Sequence, residues 1–241
     1  CRLDGRAGII EPGADADLVL WDPTRRTQLT NALMQHAIQA GKRVRNETPI
    51  GEGSLSVSSL AAMHSGEIFG DLEQANVLII GAGDGGILRE VLKHDTVERA
   101  VMAELDGGVV DFCAKLMPEI SDGAFTDKRT KLEIGDGRKY VEKTKAKFDV
   151  VIMDMTDPFG PAVMLYTKEF FNSVKKTFKN PNGVFVMHTE SPISRPRTFQ
   201  QCHRTLAGVF KFRRTFYLYI HMYAVLWSVT VCSDSVDVST F

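Results

Sequence analysis

The sequence predicts an α/β protein built on a mostly parallel sheet with helices on both faces. Three observations carry that prediction. From residue 76 onward, short apolar runs alternate with amphipathic stretches. The runs are continuously apolar instead of alternating with polar residues, as strands covered on both faces must be. The first run also ends in a glycine loop, "GAGDGG" at residues 81 to 86, which opens a helix. At 241 residues and 44% hydrophobic content, the chain has ample material for such a core.

In chain order, the strand candidates are "NVLIIG" (76 to 81), "ERAVMAEL" (98 to 105), "TKLEIG" (130 to 135), "FDVVIMD" (148 to 154) and "GVFVMHT" (183 to 189). Each is a short apolar run bounded by turn residues. Helices are expected between and after them at about 85 to 94, 107 to 117, 137 to 145, 165 to 178 and 197 to 209. Two further strands, near 211 to 220 and 224 to 233, are joined by a short turn and should form an antiparallel pair at one edge. The most apolar run, "FYLYIHMYAVLWSVTV" at 216 to 231, is shorter than the ~20 residues of a membrane helix and rich in β-formers, so it belongs to that pair. Residues 1 to 75 differ in pattern: a short strand at 13 to 23, a helix at 29 to 43, then a loop and helix over 51 to 70. The expected organisation is an N-terminal appendage (1 to 27), a helical linker segment (28 to 71) and the α/β domain (72 to 241).

A net charge of -1 provides no global field for a nucleic acid or an anionic membrane, and neither partner is expected. Cys1, Cys113, Cys202 and Cys232 form no CxxC pair, which fits buried thiols in a reducing cytosol, without a structural metal. Nothing at the start reads as an export leader, so the expected location is cytoplasmic. A homo-oligomer is compatible with these numbers.

Ligands of open α/β sheets bind beyond the carboxyl ends of the strands, and here those ends are acidic. They carry Asp84, then Glu104 and Asp106, then Asp136, then Asp154 and Asp157. Gly81, Gly83 and Gly86 satisfy GxGxxG, with Glu104 about 20 residues on, a pattern shared by nicotinamide, flavin and S-adenosylmethionine-type sites. Asp84 separates them, because a pyrophosphate beside it would meet a repulsion of roughly 1 to 4 kcal/mol, whereas a cation would be attracted. The competing explanation is that Asp84 only caps the next helix. "DMTDP" likewise reads either as a solvated acidic turn or as a site for an ammonium group. An alkylamine with a pKa of about 10.4 is neutral in only about one molecule in 10³ at pH 7, so such a site needs a base. His188 ends the fifth strand and is either a site residue or a buried polar group; His36, His64, His94 and His203 show no ligand spacing. Phe212, Phe216, Tyr217 and Tyr219 read as sheet packing, not as a stacking platform.

The tract "VLIIGAGDGGILREVLKHDTVERAVMAELDGGVVDFCAKLMPEISDG", followed by "EIGDGRKYV", "FDVVIMDMTDPFGPA" and "LYTKEFF", closely resembles the aminopropyltransferases that make spermidine, spermine and thermospermine. The resemblance covers roughly residues 76 to 234, and the ending "YIHMYAVLWSVTVCSD" is most like the thermospermine-type branch. It implies a Rossmann-like, seven-stranded sheet of the methyltransferase type. It also implies transfer of an aminopropyl group from decarboxylated S-adenosylmethionine, as co-substrate, to a polyamine, with methylthioadenosine released. Neither a metal nor a nicotinamide is called for. Residue by residue, the resemblance makes Asp84 the partner of the donor's amine, Glu104 the ribose ligand and Asp136 the adenine-site acid. Gly81, Gly83, Gly86 and Gly137 belong to the same nucleoside site. Asp154 becomes the base, and Asp157, Tyr223 and His188 lie on the polyamine side.

Several features depart from the family pattern. His188 stands where the family has Gln, and His221 and Met222 stand where it has Pro-Ser. The family's N-terminal β-rich domain, which covers the polyamine, finds no match. Instead, residues 5 to 23 resemble a closing strand segment of amidohydrolases, and residues 33 to 83 resemble the linking helix and first strand of glutamyl-tRNA reductase. Two competing functions follow: a reductase-like NADPH domain, and a non-catalytic nucleoside- or polyamine-binding homologue without the lid.

Overall fold

The computed structural model describes residues 74–220 and 223–238. The segment boundaries and resemblances assigned within residues 1–73, with His221 and Met222, lie outside the described residues. The described chain runs β1 (Ala75–Gly81), α1 (Gly86–Leu92), β2 (Val97–Glu104), α2 (Gly107–Leu116), α3 (Pro118–Ser121), β3 (Thr130–Ile134), α4 (Gly137–Lys143), β4 (Val150–Asp154), α5 (Lys168–Lys176), β5 (Val184–His188), α6 (Pro196–Ala207), β6 (Phe212–Ile220) and β7 (Val225–Ser233). The strands form one sheet in the order β3-β2-β1-β4-β5-β7-β6. Strands β1 to β5 are parallel, and β7 runs antiparallel between β5 and β6. The expected Rossmann-like sheet and antiparallel edge pair are both present. Helix α3 is four residues long, too short to leave a helical period in the sequence.

Two apolar layers explain why the central strands read as unbroken runs. Successive side chains point to opposite faces of a strand. Val77 and Ile79 of β1, Val150 and Ile152 of β4, and Val184 and Val186 of β5 share one layer with Ile87, Leu88 and Val91 of α1. Leu78 and Ile80, Val151 and Met153, and Phe185 and Met187 share the other with Phe170, Phe171 and Val174 of α5 and Leu206 of α6. Each of these side chains is nearly or wholly buried, worth about 1.5–3 kcal/mol for a Val, Leu, Ile, Phe or Met. Helix α5 starts where Thr167 Oγ1 accepts the Phe170 N–H at 3.2 Å and ends in Lys175 and Lys176, as a capped helix should.

Chain direction then places the site. From β1 the chain goes first to β2 on one side and later to β4 on the other, so the loops leaving β1 and β4 diverge and leave a crevice. At that point Gly81 has φ 85°, and a Cβ there would lie 2.1 Å from the Asp154 carbonyl oxygen. Ala82 N–H donates to that same carbonyl at 3.0 Å. Gly81→Ala is therefore expected to cost at least about 1–3 kcal/mol, from the left-handed backbone and the displaced carbonyl together. The checks are a Tm lowered by several degrees in thermal denaturation and weakened nucleoside binding.

Candidate active site

A cavity of about 1070 Å³ opens at the carboxyl end of the sheet. Its walls carry five carboxylates, those of Asp84, Glu104, Asp106, Asp154 and Asp157, and a single Lys or Arg among the described residues, Arg195. Five of the six carboxylates named at the strand ends thus meet in one place, and the charge balance suits a cationic ligand and opposes a phosphate.

One half is built by the loops after β1 and β2. Asp84 Oδ1 accepts the Gly86 N–H at 2.8 Å while the residue also lines the cavity. The N-cap of α1 is Gly85, without a side-chain hydrogen bond, so Asp84 is not the helix cap, and its bond to Gly86 leaves acceptor sites to spare. Gly83 lies against Glu104: a Cβ on Gly83 would be 3.2 Å from Glu104 Oε2. Glu104 Oε1 accepts the Asp106 N–H at 2.9 Å, which holds the carboxylate toward the glycine loop. Asp106 accepts the Gly108 N–H at 2.8 Å and caps α2.

The other half is built by the loops after β4 and β5. Burial raises the Asp154 carboxyl above the ordinary carboxylate range; the His188 ring opposes this and Asp84 adds to it. A carboxylate held up in this way accepts a proton more readily than an ordinary Asp. The loop behind it is clamped by side chains. Tyr166 Oη donates to the Thr156 carbonyl at 2.9 Å, and His188 Nε2 lies 2.7 Å from the Met155 carbonyl and 3.1 Å from Tyr166 Oη. A carbonyl only accepts, so Nε2 carries the proton. The other ring nitrogen, Nδ1, is buried without a hydrogen-bond partner among the described residues. Trp227 stacks on His188 with ring centroids 5.8 Å apart, and Tyr223 lies 5.5 Å from Trp227.

Beside this clamp sits a carboxylate that the sequence did not single out. Glu190 is 0% exposed, and neither of its carboxylate oxygens has a hydrogen-bond partner among the described residues. Its φ is 73°, unusual for a residue with a side chain. Buried hydroxyls hold the segment there: Ser228 Oγ donates to the Glu190 carbonyl at 2.6 Å, and Thr189 Oγ1 is 2.8 Å from both Ser228 Oγ and Thr230 Oγ1. Burial, then the neighbouring Asp157, push the Glu190 carboxyl up to about 7, while Arg195 opposes the rise. Arg195 Nη1 is 2.9 Å from Asp157 Oδ2.

Of the residues expected at the site, Gly81, Gly83, Asp84, Glu104, Asp154, Asp157, His188 and Tyr223 line this cavity. Gly86 lies just behind it, as the donor to Asp84. Asp136 and Gly137 stand apart from it. Asp136 lines a neighbouring cavity of about 340 Å³ with Tyr140 and Lys139, and its Oδ1 accepts the Arg138 and Lys139 N–H groups at 2.9 and 3.2 Å. At Gly137 a Cβ would lie 2.8 Å from Ile80 Cγ2, so α4 starts hard against β1. Phe212 and Phe216 pack against the core as expected. Tyr217 and Tyr219, by contrast, are 53% and 55% exposed, because they alternate to the outer face of the edge strand β6. Arg195, Tyr166 and Glu190 were missed. The one signal for Glu190 was its place two residues past the end of β5, since sequence does not distinguish a buried carboxylate from an exposed one.

Residues 59–240 match the spermine/spermidine synthase domain family. The polyamine aminopropyltransferase of Nitrosomonas europaea is 40% identical over 168 residues, covering 70% of this chain and 51% of the relative. That of Korarchaeum cryptofilum is 46% identical over 158 residues, 66% of this chain and 49% of the relative. Two solved structures, each 37% identical over 75% of this chain, share the fold. They are the spermidine synthase of Thermotoga maritima, with a TM-score of 0.66 and 62% of that chain covered, and a spermidine synthase in complex with the transition-state analogue AdoDATO, with a TM-score of 0.68 and 64% covered. The chain spans about half the length of the curated relatives it matches. The similarity extends through the whole sheet, far past the glycine loop shared with nicotinamide enzymes, and so does not favour a reductase. With three quarters of its length in one family match and its seven strands arranged as described, the chain belongs to the spermine/spermidine synthase family.

Proposed function

We propose that the chain transfers an aminopropyl group from decarboxylated S-adenosylmethionine to an amine of a polyamine, releasing methylthioadenosine. The observation that carries this is the cavity in which, among the described residues, five carboxylates face one guanidinium, with the Asp154 carboxyl in its lining held above the ordinary carboxylate range. The donor is cationic at its sulfonium and its amine, and the acceptor is cationic at each nitrogen, so both are drawn to the same walls.

In this proposal Glu104 accepts from the ribose hydroxyls, Asp84 holds the donor's ammonium through its second oxygen, and Gly81, Gly83 and Gly86 let the nucleoside approach the main chain. Asp136 shapes the adenine side by fixing the turn that carries Gly137. The acceptor's attacking nitrogen lies at Asp154, with His188 Nδ1 and Tyr223 on the same side and Asp157 toward the rest of the polyamine. The nitrogen lone pair attacks the carbon next to the sulfonium. The carbon–sulfur bond breaks with its electron pair going to sulfur, and the proton lost from nitrogen passes to Asp154. The leaving group is already activated, so holding the reactants in line and taking the proton are the tasks left to these side chains. A cytoplasmic location is proposed with the activity, supported by Cys113, Cys202 and Cys232, which are buried free thiols.

One set of measurements tests this. Thermal shift should show stabilisation by methylthioadenosine and by decarboxylated S-adenosylmethionine but not by NADPH. Adding putrescine or spermidine with the donor should then release methylthioadenosine. Stabilisation by NADPH alone would overturn the proposal, and nucleoside binding without product would mark a non-catalytic homologue.

A further inference from the structure

The acceptor half of the cavity already contains a cation. Arg195 Nη1 is 2.9 Å from Asp157 Oδ2, and its Nε is 4.0 Å from Glu190 Oε2. The guanidinium thus hydrogen-bonds one carboxylate and stops short of hydrogen bonding to the other, which stays wholly buried and without a hydrogen-bond partner among the described residues. The Arg195 side chain is 53% exposed, so it can swing into water at little desolvation cost. Its main chain is fixed. The Arg195 N–H donates to the Ser191 carbonyl at 3.1 Å, its own carbonyl accepts the Phe199 N–H at 3.0 Å, and Pro196 follows at the start of α6. Only the side chain is free to move.

We propose that Arg195 is a resident counter-ion that the acceptor's second ammonium must displace from Asp157, and that this exchange sets the preference for diamines and polyamines over monoamines. The inference rests on the aminopropyl-transfer proposal and concerns its acceptor. While Arg195 stays in place, a second ammonium meets a neutralised Asp157 and a like charge beside it. Once Arg195 has swung out, the ammonium, a compact charge with three donors, can serve Asp157 and Glu190 together. The planar guanidinium fork hydrogen-bonds only Asp157 here and reaches Glu190 no closer than 4.0 Å. The exchange is one cation for another and leaves no carboxylate newly unpaired. A monoamine carries no second charge for the exchange, so Arg195 has no bearing on its binding.

The test uses the full chain as wild type, Arg195→Gln and Arg195→Lys, each saturated with methylthioadenosine and titrated calorimetrically with butane-1,4-diamine or n-butylamine. An ion pair of this exposure corresponds to a gain of roughly twofold to fivefold when it no longer competes. Arg195→Gln is therefore expected to bind the diamine about that much more tightly. Its n-butylamine affinity, methylthioadenosine affinity and Tm should match wild type, and Arg195→Lys should resemble wild type throughout. Unchanged or weaker diamine binding in Arg195→Gln, a parallel gain for n-butylamine, or a Lys variant that behaves like Gln overturns the inference. Absence of diamine binding to every variant overturns both this inference and the proposed acceptor class. The methylthioadenosine titration, which does not involve Arg195, reports separately on the nucleoside half of the proposal.

Discussion

Asp154→Asn is expected to lower turnover by about 10²–10⁴-fold, the usual contribution of a positioned general base, while methylthioadenosine affinity stays within about twofold. The amide keeps the shape of the carboxylate and loses its capacity to take a proton. The main-chain carbonyl of residue 154, which accepts the Ala82 N–H and so holds the glycine loop, is untouched by the substitution. Single-turnover release of methylthioadenosine, measured beside calorimetric binding, separates the two effects; simultaneous loss of both would remove the base assignment. A pH profile sharpens the test. Asp154 works only when ionised, so the acid limb of kcat should lie above the range of an ordinary Asp. Burial contributes most to that rise, the His188 ring opposes it and Asp84 reinforces it. Asp84→Asn should therefore shift the acid limb to lower pH, which no merely structural role for Asp84 explains.

Glu104→Ala is expected to weaken methylthioadenosine binding by about 10- to 100-fold, the equivalent of one hydrogen bond to a charged acceptor at roughly 1.5–3 kcal/mol. The fold should barely register the change. Glu104 is partly exposed at the end of β2, and the one hydrogen bond described for its side chain is from the Asp106 N–H. Glu104→Gln keeps acceptor capacity without the charge and should lose less. Equal calorimetric affinity in wild type and Glu104→Ala would take the ribose role away from this residue.

The contrast between what was legible in the chain and what was not follows from burial and distance. Four of the five parallel strands, β1, β2, β4 and β5, could be read because each feeds apolar side chains into two layers, which forbids polar alternation and makes the runs stand out. The place of β7 between β5 and β6 could not, since a short connection shows only that the last two strands pair. Asp84, Glu104, Asp154 and Asp157 were found because a carboxylate at the carboxyl end of a parallel strand has few other tasks. Asp136 fits the same pattern, but its carboxylate is engaged by two N–H groups of α4 and lines a different cavity. Glu190 and Arg195 escaped for a different reason. Their meaning comes from an ion pair bridging 38 residues of sequence and from full burial just past a strand end, and neither leaves a periodic trace.

The contact between Gly81 and the Asp154 carbonyl gives the molecule a division of labour. In the proposed mechanism the loop that would receive the donor and the residue that would act as base are laced together by the ladder between β1 and β4, where Gly81 and Asp154 are register partners. The main-chain separation of the two is thus written into the sheet. The segment from His188 to Arg195, which addresses the rest of the acceptor, hangs from a different strand and has its own hydroxyl anchors. On the proposed mechanism, selectivity among amines can therefore be retuned on the β5 side without touching the ladder that carries the base.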